Sequence, residues 1–326
     1  MEEIIIIGAG PCGLSAAVEL QRAGFAPLTI EKHSLVHSIY LYPTHLQFFS
    51  SSQLLEIGNI PFTTPNEKPS RQEALVYYRS VALREKLRIR SYEEATEIEQ
   101  TSNGFIVRTV NRFGRPSSYE ARHVAVATGY FDQPNYIGIP GEEMSKVSHY
   151  YKEAHPYTGM KVAIIGGSNS AVDAAMDLVR VGADVTLVYR GIDFSPSIKP
   201  WVRPLFEGLV NKGHIRMMFQ SQVIRIEDES ILVNESGAEK RLDNDFVLAL
   251  TGFRPDRQLL SSLGVEMHEE TGVPSFNPET METNVEGVYI AGVVAASKYD
   301  ANEIFIESGR FHGVAIARHL TVKSGR

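Results

Sequence analysis

The chain has 326 residues, 43% of them apolar and 22% charged, with a formal net charge of −7 and a single cysteine. That length suits two domains better than one, and the composition argues for packed cores rather than disorder. The acidic balance gives no general field for nucleic acid or an anionic membrane, and one cysteine excludes an intrachain disulfide, a Cys-rich zinc site and a redox dithiol.

The opening Met1, Glu2 and Glu3 lack the basic stretch of a signal peptide. No apolar run approaches the roughly 18 residues of a membrane span. A soluble cytoplasmic protein is expected, with no nucleic acid, no membrane and no metal among its partners.

Residues 4–7 form a continuous run of isoleucine, which predicts a buried parallel strand rather than a half-exposed one. Gly8-Ala9-Gly10-Pro11-Cys12-Gly13 is a tight turn, residues 14–22 carry helix-compatible side chains, and Gly24 is a stop. A second strand at 28–30 ends at Glu31, 18 positions beyond Gly13. Strand, glycine turn, helix and acidic strand end together predict a dinucleotide site. Gly8 allows the turn, Gly10 lets backbone N–H groups approach a pyrophosphate, and Gly13 allows close helix–strand packing. The helix N-terminus adds unpaired donors and partial positive charge. Glu31 can accept from both ribose hydroxyls of an adenosine and would repel a 2′-phosphate. FAD and NAD both satisfy these residues; the N-terminal position favours FAD.

Residues 104–108 and 123–127 read as antiparallel strands of a meander, closed by the small-residue turn at Thr128 and Gly129. The opening pattern then returns 158 positions on, from Gly8 to Gly166 and from Lys32 to Arg190. Gly166-Gly167-Ser168-Asn169-Ser170-Ala171 follows a strand at 162–165, a helix spans 170–181, and a second strand spans 185–189. Ser168 replaces the middle glycine and Ala171 the last. No carboxylate ends the second strand. The guanidinium of Arg190 matches a phosphate bidentately, so NADPH is the expected ligand. Lys199 and Arg203 either assist or hold an anionic substrate. Strands at 215–219, 223–227, 231–234 and 246–250 suggest a second meander, closed at Thr251 and Gly252.

The two small-residue turns mark chain crossings. Residues 1–130 and 253–326 are expected to form a discontinuous FAD domain, completed by a strand at 288–292 and a helix from about Glu303, and 131–252 an NADPH domain. The fold class is α/β, with two Rossmann-like domains, each with a parallel sheet and an antiparallel β-meander. A chain holding two dinucleotides is expected to pass electrons between them.

With these residues in view, the chain resembles flavoproteins of the thioredoxin-reductase type over essentially its full length. Residues 147–153 match the stretch where that family carries Cys-x-x-Cys, and here hold no cysteine. Ala291-Gly292-Val293 stands where the family usually has Ala-Gly-Asp. The loop with Cys12, together with Tyr42-Pro43-Thr44-His45, Phe48-Phe49-Ser50-Ser51-Ser52 and residues 304–310, is similar to the YpdA-type bacillithiol disulfide reductase family. That resemblance implies FAD, NADPH and reduction of bacillithiol disulfide, with a homo-oligomer and a bacilliredoxin-type protein partner. The implied FAD residues are Gly8, Gly10, Pro11, Cys12, Gly13, Glu31, Lys32, Thr44, His45, Phe49, Ser50, Thr128, Gly129, Gly292 and Ile304. For NADPH they are Gly166, Gly167, Ser168, Asn169, Ser170, Arg190, Lys199 and Gly252.

Three other readings stay open: a ferredoxin– or flavodoxin–NADP reductase, a flavin monooxygenase (residues 49–62 resemble that family), and a non-catalytic redox sensor. Cys12 is the candidate catalytic thiol, forming a mixed disulfide with the substrate; otherwise it is a small residue packed beneath the flavin. The helix N-terminus lowers its pKa, and a pyrophosphate at the same terminus raises it. His45, His149 and His312 are candidate proton donors.

Overall fold

Ile4, Ile5 and Ile6 are completely buried and Ile7 nearly so, as a strand flanked by partners on both sides and covered on both faces must be. Each such side chain contributes about 1.5–3 kcal/mol of burial free energy. The computed structural model describes residues 1–297 and 304–326. Two compact units emerge: Met1–Tyr40, Leu46–Gln133 and Phe253–Arg326 form one, and Leu41–His45 with Pro134–Gly252 form the other.

The first unit is built on a 7-stranded sheet. Its parallel part runs Arg88–Ser91, Leu28–Glu31, Glu2–Ile7, Pro116–Val126 and Val288–Ile290. The strand Pro116–Val126 does two jobs. Its N-terminal half pairs antiparallel with Gly104–Asn111, which pairs in turn with Glu93–Thr101. Its C-terminal half pairs in parallel, Val126 with Ile7 on one side and Ile290 on the other. Residues 123–126 are thus in the parallel sheet, not in a separate meander strand as expected, and the buried apolar run of Val124, Ala125 and Val126 is the signature of that place.

Two helices lie against each other beside this sheet. Pro11–Arg22 follows the glycine loop, and His312–Ser324 packs on it so closely that a Cβ on Gly313 would come within 2.5 Å of the Ala16 Cα. Glu303, where the last helix is expected to start, lies outside the described residues; Ile306–Gly309 and His312–Ser324 are the helices that follow. The helix Arg71–Arg84 starts with a reciprocal cap between Ser70 and Glu73.

The second unit has a 5-stranded parallel sheet, in the order Ile215–Met218, Asp184–Val188, Lys161–Ile165, Phe246–Ala249, Val147–Ser148. A separate antiparallel sheet holds Ser221–Glu227, Ser230–Glu235 and Ala238–Asp243. Two of the four strands expected to form the second meander, at 215–219 and 246–250, therefore belong to the parallel sheet. The third meander strand, Ala238–Asp243, is exposed and charged and has no apolar alternation to announce it. No helix among the described residues is long and apolar enough to cross a membrane.

Candidate functional site

The first glycine loop leaves the end of Glu2–Ile7, with the Gly8 N–H bonded to the Ile30 carbonyl at 2.8 Å. Gly8 has φ +108°, and a Cβ there would stand 2.5 Å from the Ala127 carbonyl oxygen. Gly13 is needed for contact: its Cβ would come 2.0 Å from the Gly8 oxygen. Gly10 differs from both. Nothing lies within 4 Å of where its Cβ would be. It caps the helix Pro11–Arg22 without any side-chain hydrogen bond, and Pro11 occupies the first turn, so the N–H groups of Cys12 and Gly13 open onto the space beside Gly10.

Glu31 is 8% exposed and already engaged: one oxygen accepts from the Ala9 N–H at 2.7 Å and the other from the His33 N–H at 2.8 Å. Burial raises its carboxyl pKa and the two amide donors oppose that. The carboxylate thus fastens the loop to the strand end, and each oxygen keeps a second acceptor position for a ribose hydroxyl. Lys32 pairs with Asp132 at 3.3 Å and Glu94 at 3.6 Å. The Thr128 hydroxyl, directly after the carbonyl that Gly8 faces, is buried without a partner among the described residues; Gly129 next to it has φ +76° and open space. Bare helix donors, an open cradle at Gly10 and an orphaned buried hydroxyl fit a dinucleotide pyrophosphate and ribose.

Cys12 is half-buried, but its sulfur is wedged between two backbones. A Cβ on Gly292 would lie 3.0 Å from Sγ and one on Gly309 2.7 Å, with Ile304 also beside Gly309. Burial pushes the thiol up to about 12, and the Glu307 carboxylate adds to the rise. Ser50 donates to Glu307. The His312 Nδ1 accepts from the Gly292 N–H at 3.0 Å, and burial lowers its pKa to about 4, so it stands neutral with its proton on Nε2. Phe49 is 46% exposed. Thr44 and His45 fall in the second unit rather than with the other residues expected at FAD; Thr44 N–H bonds there to the Lys152 carbonyl at 2.8 Å. His149, also in that unit, lies 3.7 Å from Glu142 with both ring nitrogens outside hydrogen-bond reach of any described residue.

The second loop repeats the first. Gly166 has φ +143°, a would-be Cβ 2.5 Å from the Leu250 carbonyl oxygen, and an N–H bond to Val188 at 3.1 Å. Ala171 fits in place of the last glycine, its Cβ 3.4 Å from that same would-be atom. Ser168 caps the helix Asn169–Arg180 with no side-chain bond to its amides, so those donors stay available beside Ser170. Asn169 ties a following loop to this terminus: Nδ2 donates to the Ser197 carbonyl at 2.9 Å, and Oδ1 accepts from the Lys199 N–H at 3.0 Å. Burial raises the pKa of Asp173, and the Lys199 ammonium partly opposes that rise. Arg203 is instead committed to Glu207, 2.5 Å away on its own helix. Arg190 is exposed with no ion pair among the described residues. Gly252, φ +90°, closes the turn beside Leu250, its carbonyl taking the Asn135 N–H at 2.9 Å. One residue escaped the sequence reading: Tyr189, at the strand end where the 158-position repeat sets it opposite Glu31.

Residues 5–292 match the model of the family described as pyridine nucleotide-disulphide oxidoreductase. The chain belongs to that family. Within it, this pyridine nucleotide-disulphide oxidoreductase stands in the YpdA-type branch. It is 52% identical over 321 residues to bacilliredoxin reductase Bdr of Bacillus subtilis (strain 168), covering 98% of this chain and 97% of that one. Its structure is similar to bacillithiol disulfide reductase Bdr (YpdA) from Bacillus cereus, with a TM-score of 0.96 and 50% identity over 99% of each chain. A thioredoxin reductase from T. acidophilum, at 23% identity and a TM-score of 0.77 over 99% of each chain, shares the fold. As a pyridine nucleotide-disulphide oxidoreductase the chain is an enzyme and a flavoprotein, using a flavin and a nicotinamide nucleotide.

Proposed function

We propose that the first loop holds FAD, the second holds NADPH, and the enzyme reduces bacillithiol disulfide to bacillithiol. The observation that carries the substrate is the likeness, over nearly the whole chain, to a reductase named for that disulfide. The cofactor assignments rest on the unlike strand ends: buried Glu31 at the first, and uncharged Tyr189 with Arg190, which has no ion pair among the described residues, at the second. Bound FAD would take a hydride from NADPH and supply the electron pair that cleaves a disulfide. The donors of Cys12 and Gly13 would hold the pyrophosphate of FAD, and Gly10 leaves it room.

Two routes divide at Cys12. In one, the Cys12 thiolate attacks a substrate sulfur, the substrate S–S bond breaks, one bacillithiol thiolate leaves, and the electron pair then cleaves the new mixed disulfide. That route needs a thiolate. Its pKa of about 12 leaves Cys12 protonated at neutral pH, wedged against Gly292 and Gly309. This favours the second route, in which the pair reaches the disulfide without any protein thiol.

One experiment tests both levels. NADPH oxidation is followed with bacillithiol disulfide, glutathione disulfide, a bacilliredoxin mixed disulfide, ferredoxin, flavodoxin or oxygen as acceptor, for wild type and Cys12→Ser. Turnover with bacillithiol disulfide, retained within about threefold in the serine variant, is expected. Loss by orders of magnitude in Cys12→Ser, with flavin reduction intact, would select the mixed disulfide. Turnover with ferredoxin and with no disulfide would overturn the substrate.

A further inference from the structure

The two loops share a register, since Gly8 N–H bonds to Ile30 and Gly166 N–H to Val188. Tyr189 therefore stands at the position of Glu31. Glu31 reaches back with its carboxylate to the Ala9 amide. Tyr189 instead lays its ring over the backbone: a Cβ on Gly167 would lie 2.5 Å from Cδ2 and 2.6 Å from Cγ, and one on Gly191 would lie 2.4 Å from Cε1 and 2.8 Å from Cζ. Neither glycine is in the left-handed region, so backbone conformation does not explain either of them. The ring does.

The frame around that ring is fixed. Tyr189 N–H bonds to the Met218 carbonyl at 2.9 Å, its own carbonyl takes the Ser221 N–H at 3.1 Å, and Gly191 takes the Gln220 N–H at 2.9 Å. Arg190, between them, projects to solvent with no ion pair among the described residues.

We propose that Tyr189, clamped between Gly167 and Gly191, is a specificity-determining residue that keeps the strand end free of negative charge and gives the 2′-phosphate-bearing adenosine an uncharged floor, leaving Arg190 to bind the phosphate. The inference rests on the assignment of NADPH to this loop. A carboxylate at position 189 would face a phosphate across a few ångströms, and at an effective dielectric of about 20 such a repulsion weakens binding by about tenfold or more.

Calorimetric titration of the flavin-loaded protein with adenosine 2′,5′-bisphosphate and with 5′-AMP tests this without turnover. Wild type is expected to prefer the bisphosphate. Tyr189→Phe, which keeps the ring, should stay within about threefold of wild type, and Tyr189→Glu should weaken the bisphosphate at least about tenfold while changing 5′-AMP by less than about threefold. Gly191→Ala should weaken the bisphosphate by pushing the ring aside, and should add nothing in a Tyr189→Ala background. Wild-type protein that binds both nucleotides alike overturns the NADPH assignment itself. A preference for the bisphosphate that survives Tyr189→Glu overturns the role of Tyr189 alone, and equal effects of Gly191→Ala in both backgrounds overturn the clamp.

Discussion

Gly10 and Gly13 sit in one loop, and a methyl group added to each should have opposite consequences. At Gly13 it would collide with the Gly8 oxygen at 2.0 Å, so Gly13→Ala should destabilise the protein by more than about 3 kcal/mol, seen as a large fall in Tm. At Gly10 it meets nothing within 4 Å. Gly10→Ala should keep stability within about 1 kcal/mol yet lower the flavin bound per chain, read from visible absorbance. Full flavin content in folded Gly10→Ala would mean the pyrophosphate does not approach that face. At the other loop, Arg190→Glu should raise KM for NADPH far more than for NADH, by loss of a charge-assisted pair of about 1.5–3 kcal/mol. A wild-type preference for NADH would show that Arg190 has another task.

Between elements, the tightest approach is the crossing of Pro11–Arg22 and His312–Ser324, where Gly313 touches the Ala16 backbone. Gly313→Val should force these helices apart and cost about 2–4 kcal/mol in urea unfolding; a variant within 0.5 kcal/mol of wild type would show that the pair yields easily. Both strand–loop–helix units were legible in the sequence because each glycine sits where backbone meets backbone, a constraint that leaves a mark at fixed spacing. The meanders were less legible. Ala238–Asp243 carries Glu239, Lys240 and Arg241 outward and buries none of them, so it lacks the period-two pattern by which a half-buried strand is recognised. Leu41–His45 joins the second unit through contacts distant in sequence, such as Thr44 with Lys152, which no local pattern encodes. Tyr189 is readable only through the 158-position repeat that aligns it with Glu31, because an aromatic at a strand end looks like any strand residue.

At the scale of the whole molecule, half-buried histidines tie stability to pH. His312 is held neutral, its pKa lowered to about 4 from 6.5 by burial, and His37 is lowered to about 4 for the same reason with His33 adding to it. An unfolded chain takes up protons through the 6.5 region that the folded one refuses, so this contribution is complete above pH 6.5 and is lost as pH falls toward 4. For His312 the loss is of order 2–3 kcal/mol. Chemical denaturation at pH 7 and pH 5 should give a smaller pH dependence for His312→Gln than for wild type; identical slopes would place the titration elsewhere. The double duty of the strand Pro116–Val126 has a consequence for synthesis. During translation its C-terminal half emerges about 160 residues ahead of its partner Val288–Ile290, an interval of roughly 8–30 s at ordinary elongation rates. Throughout that time the nascent chain presents an unpaired strand edge at Val124, Ala125 and Val126, the kind of surface to which other chains add, and the whole second glycine loop passes out of the ribosome before that edge can be closed.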